Sequence, residues 1–276
     1  MRYNLFLSVL LMILITGCAS VKQEDINYIK GDYTASAEKP KLNIFKPKDS
    51  LNPHDVLIFV HGGNWNSGNK ETYSVLGRNF ARKDYVTVVP GYTLSPYVNY
   101  DGMTQEIAEA IKWTHENIAQ YGGKPDRIFV MGHSAGGHLV ALATMSPNYL
   151  NNPDYIKGII LNDAAGLDMY EYLQENPPTS EDYYDVTWTK NPEEWKKASP
   201  FYYLDEKTPP ILMFLGTKTY PSLYYYNDLF YQKLKEYQPE AELIILNKNH
   251  TSMVTQFFSP ISSRFGEIQE FTEGVD

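Results

Sequence analysis

One cysteine occurs in 276 residues, at position 18. A single thiol makes no internal disulfide, no thiolate zinc site and no iron–sulfur cluster, so none of these holds the fold. An excess of positive charge is also missing: 24 Lys and Arg stand against 33 Asp and Glu, a formal charge of −9. An acidic chain with no basic stripe repels a phosphate backbone, which excludes nucleic acid as a partner. The six histidines contain no H-E-x-x-H pair, so a metal site would need other imidazole and oxygen ligands, and none is assigned. The low hydrophobicity that disorder requires is absent as well. With 43% hydrophobic and 14% aromatic residues, the chain has the material for a full core.

Long apolar runs are scarce, and the one at the start is too short to cross a bilayer. Arg2 is followed by an apolar stretch over residues 5–15 and then by Thr16-Gly17-Cys18. A positive start, a short apolar segment and small residues before a cysteine are the parts of a bacterial lipoprotein signal. On this reading residues 1–17 are a signal peptide and Cys18 carries the lipid. Residues 18–40 are then the anchor and tether, and the protein is expected on a membrane of the bacterial cell envelope, facing the periplasm or the surface. Two or more acyl chains hold a protein firmly, at ~0.8 kcal/mol per buried methylene.

From residue 41 onward, short apolar runs alternate with helical patterns. Residues 55–60, 85–90, 127–132, 156–162, 210–216 and 241–247 are aliphatic or β-branched runs of strand length. Such continuous runs suit strands covered on both faces, as in a parallel sheet. Between them, residues 104–118 carry apolar side chains at three- and four-residue spacing, and Gly122-Gly123 ends the pattern. Six strands alternating with helices predict a doubly wound α/β domain over residues 41–276, with an insertion at about 167–205.

The chemistry gathers at two strand ends. Gly132-His133-Ser134-Ala135-Gly136 lies between the run 127–131 and a helix-competent segment, 137–145. This is the G-x-S-x-G pattern of a nucleophile elbow, whose small flanking residues permit a sharp strand-to-helix turn that lifts the serine above the sheet. His61-Gly62-Gly63-Asn64-Trp65 follows another strand, and its glycines let backbone N–H groups approach a developing oxyanion. The amides of Gly63, Asn64 and Ala135 are assigned to that hole.

These motifs, with Tyr121-Gly122-Gly123-x-Pro125 between them and Gly137-His138-Leu139 after the serine, resemble α/β-hydrolase esterases. The resemblance is to those of the kynurenine-formamidase and hormone-sensitive-lipase-like kind, and it covers about residues 41–258. It implies an α/β-hydrolase fold, hydrolysis of acyl esters or amides without a cofactor, and a serine, an acid and a histidine in that chain order. Ser134 holds the nucleophile position. Asn249-His250-Thr251 follows the last strand run, where such folds present the histidine, so His250 is the expected base.

The acid position departs from the family. The G-x-x-D pattern expected after the run 210–216 reads Gly216-Thr217-Lys218-Thr219 here, with a neutral hydroxyl in place of a carboxylate. Some α/β hydrolases carry the acid one strand earlier. That strand ends Asn162-Asp163-Ala164-Ala165-Gly166 in this chain, resembling the acid turn of those lipases. The order of preference is Asp163, then Asp228, then Asp168. Asp168 alternatively matches a non-catalytic Asp of the family, and Asp228 a solvated helix position.

The expected substrate is a small-molecule ester, with an acyl group on a small or carbohydrate-linked alcohol. Tyrosines crowd the insertion and the segment 224–231, where they either stack on sugar or aryl rings or pack the insertion itself. Two alternatives remain beside the ester hydrolase. One is an arylformamidase-like amide hydrolase; the other is a degenerate α/β hydrolase that binds without turnover, suggested by Thr219.

Overall fold

In the computed structural model, residues 20–31, 38–48, 52–150 and 154–275 are described. Cys18 and the expected signal segment lie outside them. Eight strands form one sheet: β1 (Ser20–Asn27), β2 (Lys41–Pro47), β3 (His54–Val60), β4 (Val86–Pro90), β5 (Gly123–His133), β6 (Ile156–Asn162), β7 (Ile211–Lys218) and β8 (Glu242–Asn249). Their order is β1-β2-β4-β3-β5-β6-β7-β8. Only the first two pairings are antiparallel; β4 through β8 run parallel. This is the doubly wound α/β arrangement that the alternating pattern predicts and the α/β-hydrolase fold that the resemblance implies.

The period of two along each strand divides the core. On β3, Val56, Ile58 and Val60 enter one apolar cluster while Leu57 and Phe59 enter the other. The first cluster is covered by α2 (Tyr100–Asn117) and α3 (Ala135–Met145). The second is covered by α1 (Ser74–Ala81), through Leu76 and Phe80, and by the C-terminal helices described below. Helix α2 begins earlier than its apolar spacing predicts, because Asn99 accepts the Gly102 N–H at 3.1 Å and caps the first turn. Residues 135–144 of α3 are all buried, so the helix carrying the elbow is packed on every side.

Between β6 and β7 the chain forms α4 (Met169–Glu175), α5 (Tyr184–Thr187) and α6 (Pro192–Lys197), of which α4 and α5 reach over the carboxyl ends of the strands. After β7 come α7 (Pro221–Tyr237), then α8 (His250–Thr255) and α9 (Arg264–Glu273). Met253, Phe265 and Ile268 from the last two seal the second cluster.

One expectation needs correction. Part of the expected tether 18–40 is a strand: Ser20–Asn27 pairs with β2, with Ser20 opposite Pro47 and Asn27 opposite Lys41. An edge strand needs a partner on one side only and tolerates charge along its length. Lys22, Gln23, Glu24 and Asp25 therefore read as linker composition while forming the outer rim of the sheet. Lys22 is anchored there by Glu71 at 2.7 Å.

Candidate active site

Strand β5 delivers Ser134 to a turn whose backbone lies in the left-handed region, φ 55° and ψ −125°. A side chain that can sit there is held by tight packing around it. A Cβ on Gly132 would stand 2.3 Å from the Gly136 carbonyl oxygen, and one on Gly136 would stand 2.2 Å from that of Val60. Both contacts are with backbone, so the two glycines of the pentapeptide are required by sterics. Ser134 thereby sits at the N-terminus of α3, where the helix presents partial positive charge.

Strand β8 ends at Asn249, whose side chain accepts the Ser252 N–H at 2.8 Å and starts α8. This places His250 over the elbow. Its Nε2 lies 2.8 Å from Ser134 Oγ, and its Nδ1 lies 2.5 Å from Asp163 Oδ2. The backbone carbonyl of His250 accepts a bond from His133 Nε2 at 3.0 Å, and the two rings lie 4.6 Å apart. Burial, helped by the neighbouring His250, pushes the His133 imidazole down to about 3, so His133 is a neutral prop under the other ring.

Asp163 follows β6 in the left-handed region, φ 51°, and is fully buried. A carboxylate taken out of water is costly unless donors surround it. Here three converge: Gly216 N–H on Oδ1 at 2.9 Å, and Thr219 Oγ1 and His250 Nδ1 on Oδ2, each at 2.5 Å. Among the described residues, Asp163 is the carboxylate bonded to His250. Asp168 instead caps α4, accepting the Glu171 N–H at 3.1 Å, and burial raises its carboxyl above the ordinary range. Asp228 is exposed on α7, away from the histidine.

The loop after β3 forms the facing wall. Gly63 (φ 133°) and Asn64 (φ 50°) take backbone conformations rare for side chains, and Gly62 lies so close that a Cβ there would stand 2.8 Å from Ser134 Cβ. The N–H groups of Gly63, Asn64 and Ala135 donate to no other group among the described residues. The loop is locked from behind. Trp65 Nε1 donates to His138 Nδ1 at 3.2 Å, and His138 Nε2 donates to the Ala198 carbonyl at 2.7 Å, joining loop, elbow helix and insertion. From above, the Tyr184 hydroxyl donates to Asn64 Oδ1 at 3.2 Å.

Ser134 and His250 open into a cavity of about 610 Å³ lined by five tyrosines, Tyr73, Tyr172, Tyr184, Tyr220 and Tyr226, and by no lysine or arginine among the described residues. Tyr220, 61% exposed, stands at its mouth with its ring 5.3 Å from that of His250. The insertion tyrosines thus divide: Tyr172 and Tyr184 face the cavity, while Tyr202 packs on Lys196 and Phe201. The contribution of Thr219 is invisible to sequence reasoning except as a departure from G-x-x-D. That of His133 follows only from its contact with the His250 backbone.

Comparison with known proteins agrees with this architecture. The BD-FAE family model matches residues 42–234, more than half of the chain. The esterase LipC of Mycobacterium tuberculosis is 29% identical over 195 residues, covering 64% of this chain and 47% of that protein. The isoprenylcysteine alpha-carbonyl methylesterase ICME of Arabidopsis thaliana is 25% identical over 238 residues, covering 78% and 55%. The chain thus spans about half the length of these two curated relatives. Esterase 2 of Thermogutta terrifontis, solved with butyrate, superposes with a TM-score of 0.73 at 23% identity over 90% of this chain and 92% of that one. Esterase B of Lactobacillus rhamnosis, solved with a tributyrin phosphonate, gives 0.77 at 18% identity over 92% and 85%. At such identities the solved structures bear on the fold, and the sequence match decides the family. The protein belongs to the BD-FAE family and has the α/β-hydrolase fold found in carboxylesterases.

Proposed function

We propose that the protein is a serine ester hydrolase that works through an acyl-enzyme, with Ser134 as nucleophile, His250 as general base and Asp163 as the acid. The observation that carries this reading is the unbroken chain of contacts from Ser134 Oγ through His250 to Asp163, at 2.8 and 2.5 Å, at the base of an open cavity. His250 Nε2 takes the hydroxyl proton as Ser134 Oγ attacks the ester carbonyl, and the bond to Asp163 holds the ring in the tautomer that accepts it. The free N–H groups of Gly63, Asn64 and Ala135 stabilise the oxyanion. His250 then protonates the departing alcohol, and water repeats the sequence on the acyl-enzyme.

The substrate class is a neutral acyl ester on a small or carbohydrate-linked alcohol. A cavity walled by tyrosine and without lysine or arginine among its described lining suits an uncharged, hydroxyl-rich or aromatic ligand better than an anionic one. The relatives named as esterases support ester rather than amide hydrolysis. The lipoprotein-type sequence ending at Cys18 supports placement at the bacterial cell envelope through an N-terminal lipid. Hydrolysis of short-chain nitrophenyl esters tests the reaction. Ser134→Ala is expected to lower turnover by about 10⁶, and a variant retaining even a tenth of wild-type turnover contradicts the assignment.

A further inference from the structure

Thr219 occupies an unusual place. It follows the end of β7, its N–H donates to the Gly216 carbonyl at 3.3 Å, and its hydroxyl reaches back across the turn to the acid. Oγ1 donates to Asp163 Oδ2 at 2.5 Å and stands 3.5 Å from His250 Nδ1. One side chain from β7 therefore touches both the carboxylate that follows β6 and the imidazole that carboxylate serves. Thr219 does not line the cavity. Any effect it has on the reaction passes through Asp163 and His250 and not through substrate.

We infer that Thr219 is a positioning residue for the acid: its hydroxyl fixes the carboxylate that serves His250. This follows from hydrogen-bond accounting. Asp163 Oδ2 carries the bond to His250, and its rotation about the side chain is limited by two donors from the β7 end, Gly216 N–H and Thr219 Oγ1. Removing the hydroxyl leaves that rotation limited by the amide and the imidazole alone. Hydrogen bonds to charged groups are the strong ones, so the loss is felt in the orientation of the ring.

The inference rests on the serine-hydrolase reading, and the experiment separates the two. The variants are Thr219→Val, Thr219→Ser, Asp163→Asn and the double variant Asp163→Asn/Thr219→Val, compared on nitrophenyl acetate with thermal melts as the folding control. Thr219→Val is expected to lower kcat about tenfold with KM unchanged, and Thr219→Ser to restore it. In the Asp163→Asn background Thr219→Val is expected to cost less than about twofold, because the hydroxyl acts through the carboxylate. If wild type hydrolyses the ester but Thr219→Val matches it, or Thr219→Val costs tenfold in the Asp163→Asn background as well, the inference is overturned. Should Thr219→Val fail to fold, Thr219→Ala takes its place in both backgrounds. A wild type whose turnover does not depend on Ser134 fails the underlying reading instead.

Discussion

At Asp163 two constraints coincide: a left-handed backbone and complete burial under three donors. Asparagine tolerates the same backbone and keeps nearly the same shape, so Asp163→Asn removes the charge and puts an NH2 donor where a carboxylate oxygen accepts. Turnover of nitrophenyl acetate is expected to fall by about 10³ to 10⁴ while the thermal midpoint holds, and near-wild-type turnover would remove Asp163 from the relay. Gly136 is constrained differently, by the Val60 carbonyl 2.2 Å from where a Cβ would lie. Gly136→Ala is expected to cost about 3 kcal/mol in urea denaturation and to displace Ser134; an unchanged urea midpoint contradicts that packing argument. Ser134 and the glycines are legible in sequence because the elbow is local and its sterics are written in five consecutive residues. The acid is legible only as a choice among carboxylates at strand ends. That Thr219 donates to Asp163 depends on two turns, 56 residues apart, meeting across the sheet edge.

Among the elements, strands β3 to β7 are legible because both faces are covered and their residues form apolar runs, and the edge strand β8 because residues 243–246 keep such a run although none of its positions is fully buried. Strand β1 is not, because an edge strand mixes charge with few buried positions and shares its composition with a linker. The C-terminal helix is likewise attached by polar contacts that no periodicity reveals. Arg127, at the start of the apolar part of β5, pairs with Asp55 on β3 at 3.1 Å and donates to the carbonyls of Thr272 and Val275 at 2.9 Å. Burial alone would raise the Asp55 carboxyl, but the hydrogen bonds from Arg127 and Lys124 outweigh it and hold the group below its ordinary value. Arg127→Ala leaves Asp55 with Lys124 alone and frees the end of α9. A loss of about 2 kcal/mol is expected, with faster hydrogen exchange in α9 than in α2. Exchange that stays slow in α9 would show that apolar packing of Phe265 and Ile268 suffices.

For the molecule as a whole, three buried histidines set the response to acid. Burial pushes the imidazoles of His61 and His138 down to about 4, and burial with the adjacent His250 pushes His133 to about 3. The folded protein therefore keeps all three neutral at pH values where the unfolded chain, titrating near 6.5, binds protons. The sign follows: their contribution is complete above pH 6.5 and is lost as pH falls from there toward 4. Three such groups remove up to about 4 kcal/mol per pH unit in the lower part of that window, against a total stability of roughly 5–15 kcal/mol. Urea midpoints are expected to be level from pH 8 to 7 and to fall steeply below 6, with acid unfolding near pH 5. A midpoint independent of pH down to 4 would contradict the buried neutral assignment. The central claim, that Ser134 is a nucleophile driven by His250, is tested most directly by intact-protein mass spectrometry after exposure to a fluorophosphonate. One covalent adduct is expected, mapped to Ser134 and absent in both Ser134→Ala and His250→Ala. Folded wild-type protein that acquires no adduct, or acquires it equally in Ser134→Ala, would contradict the account.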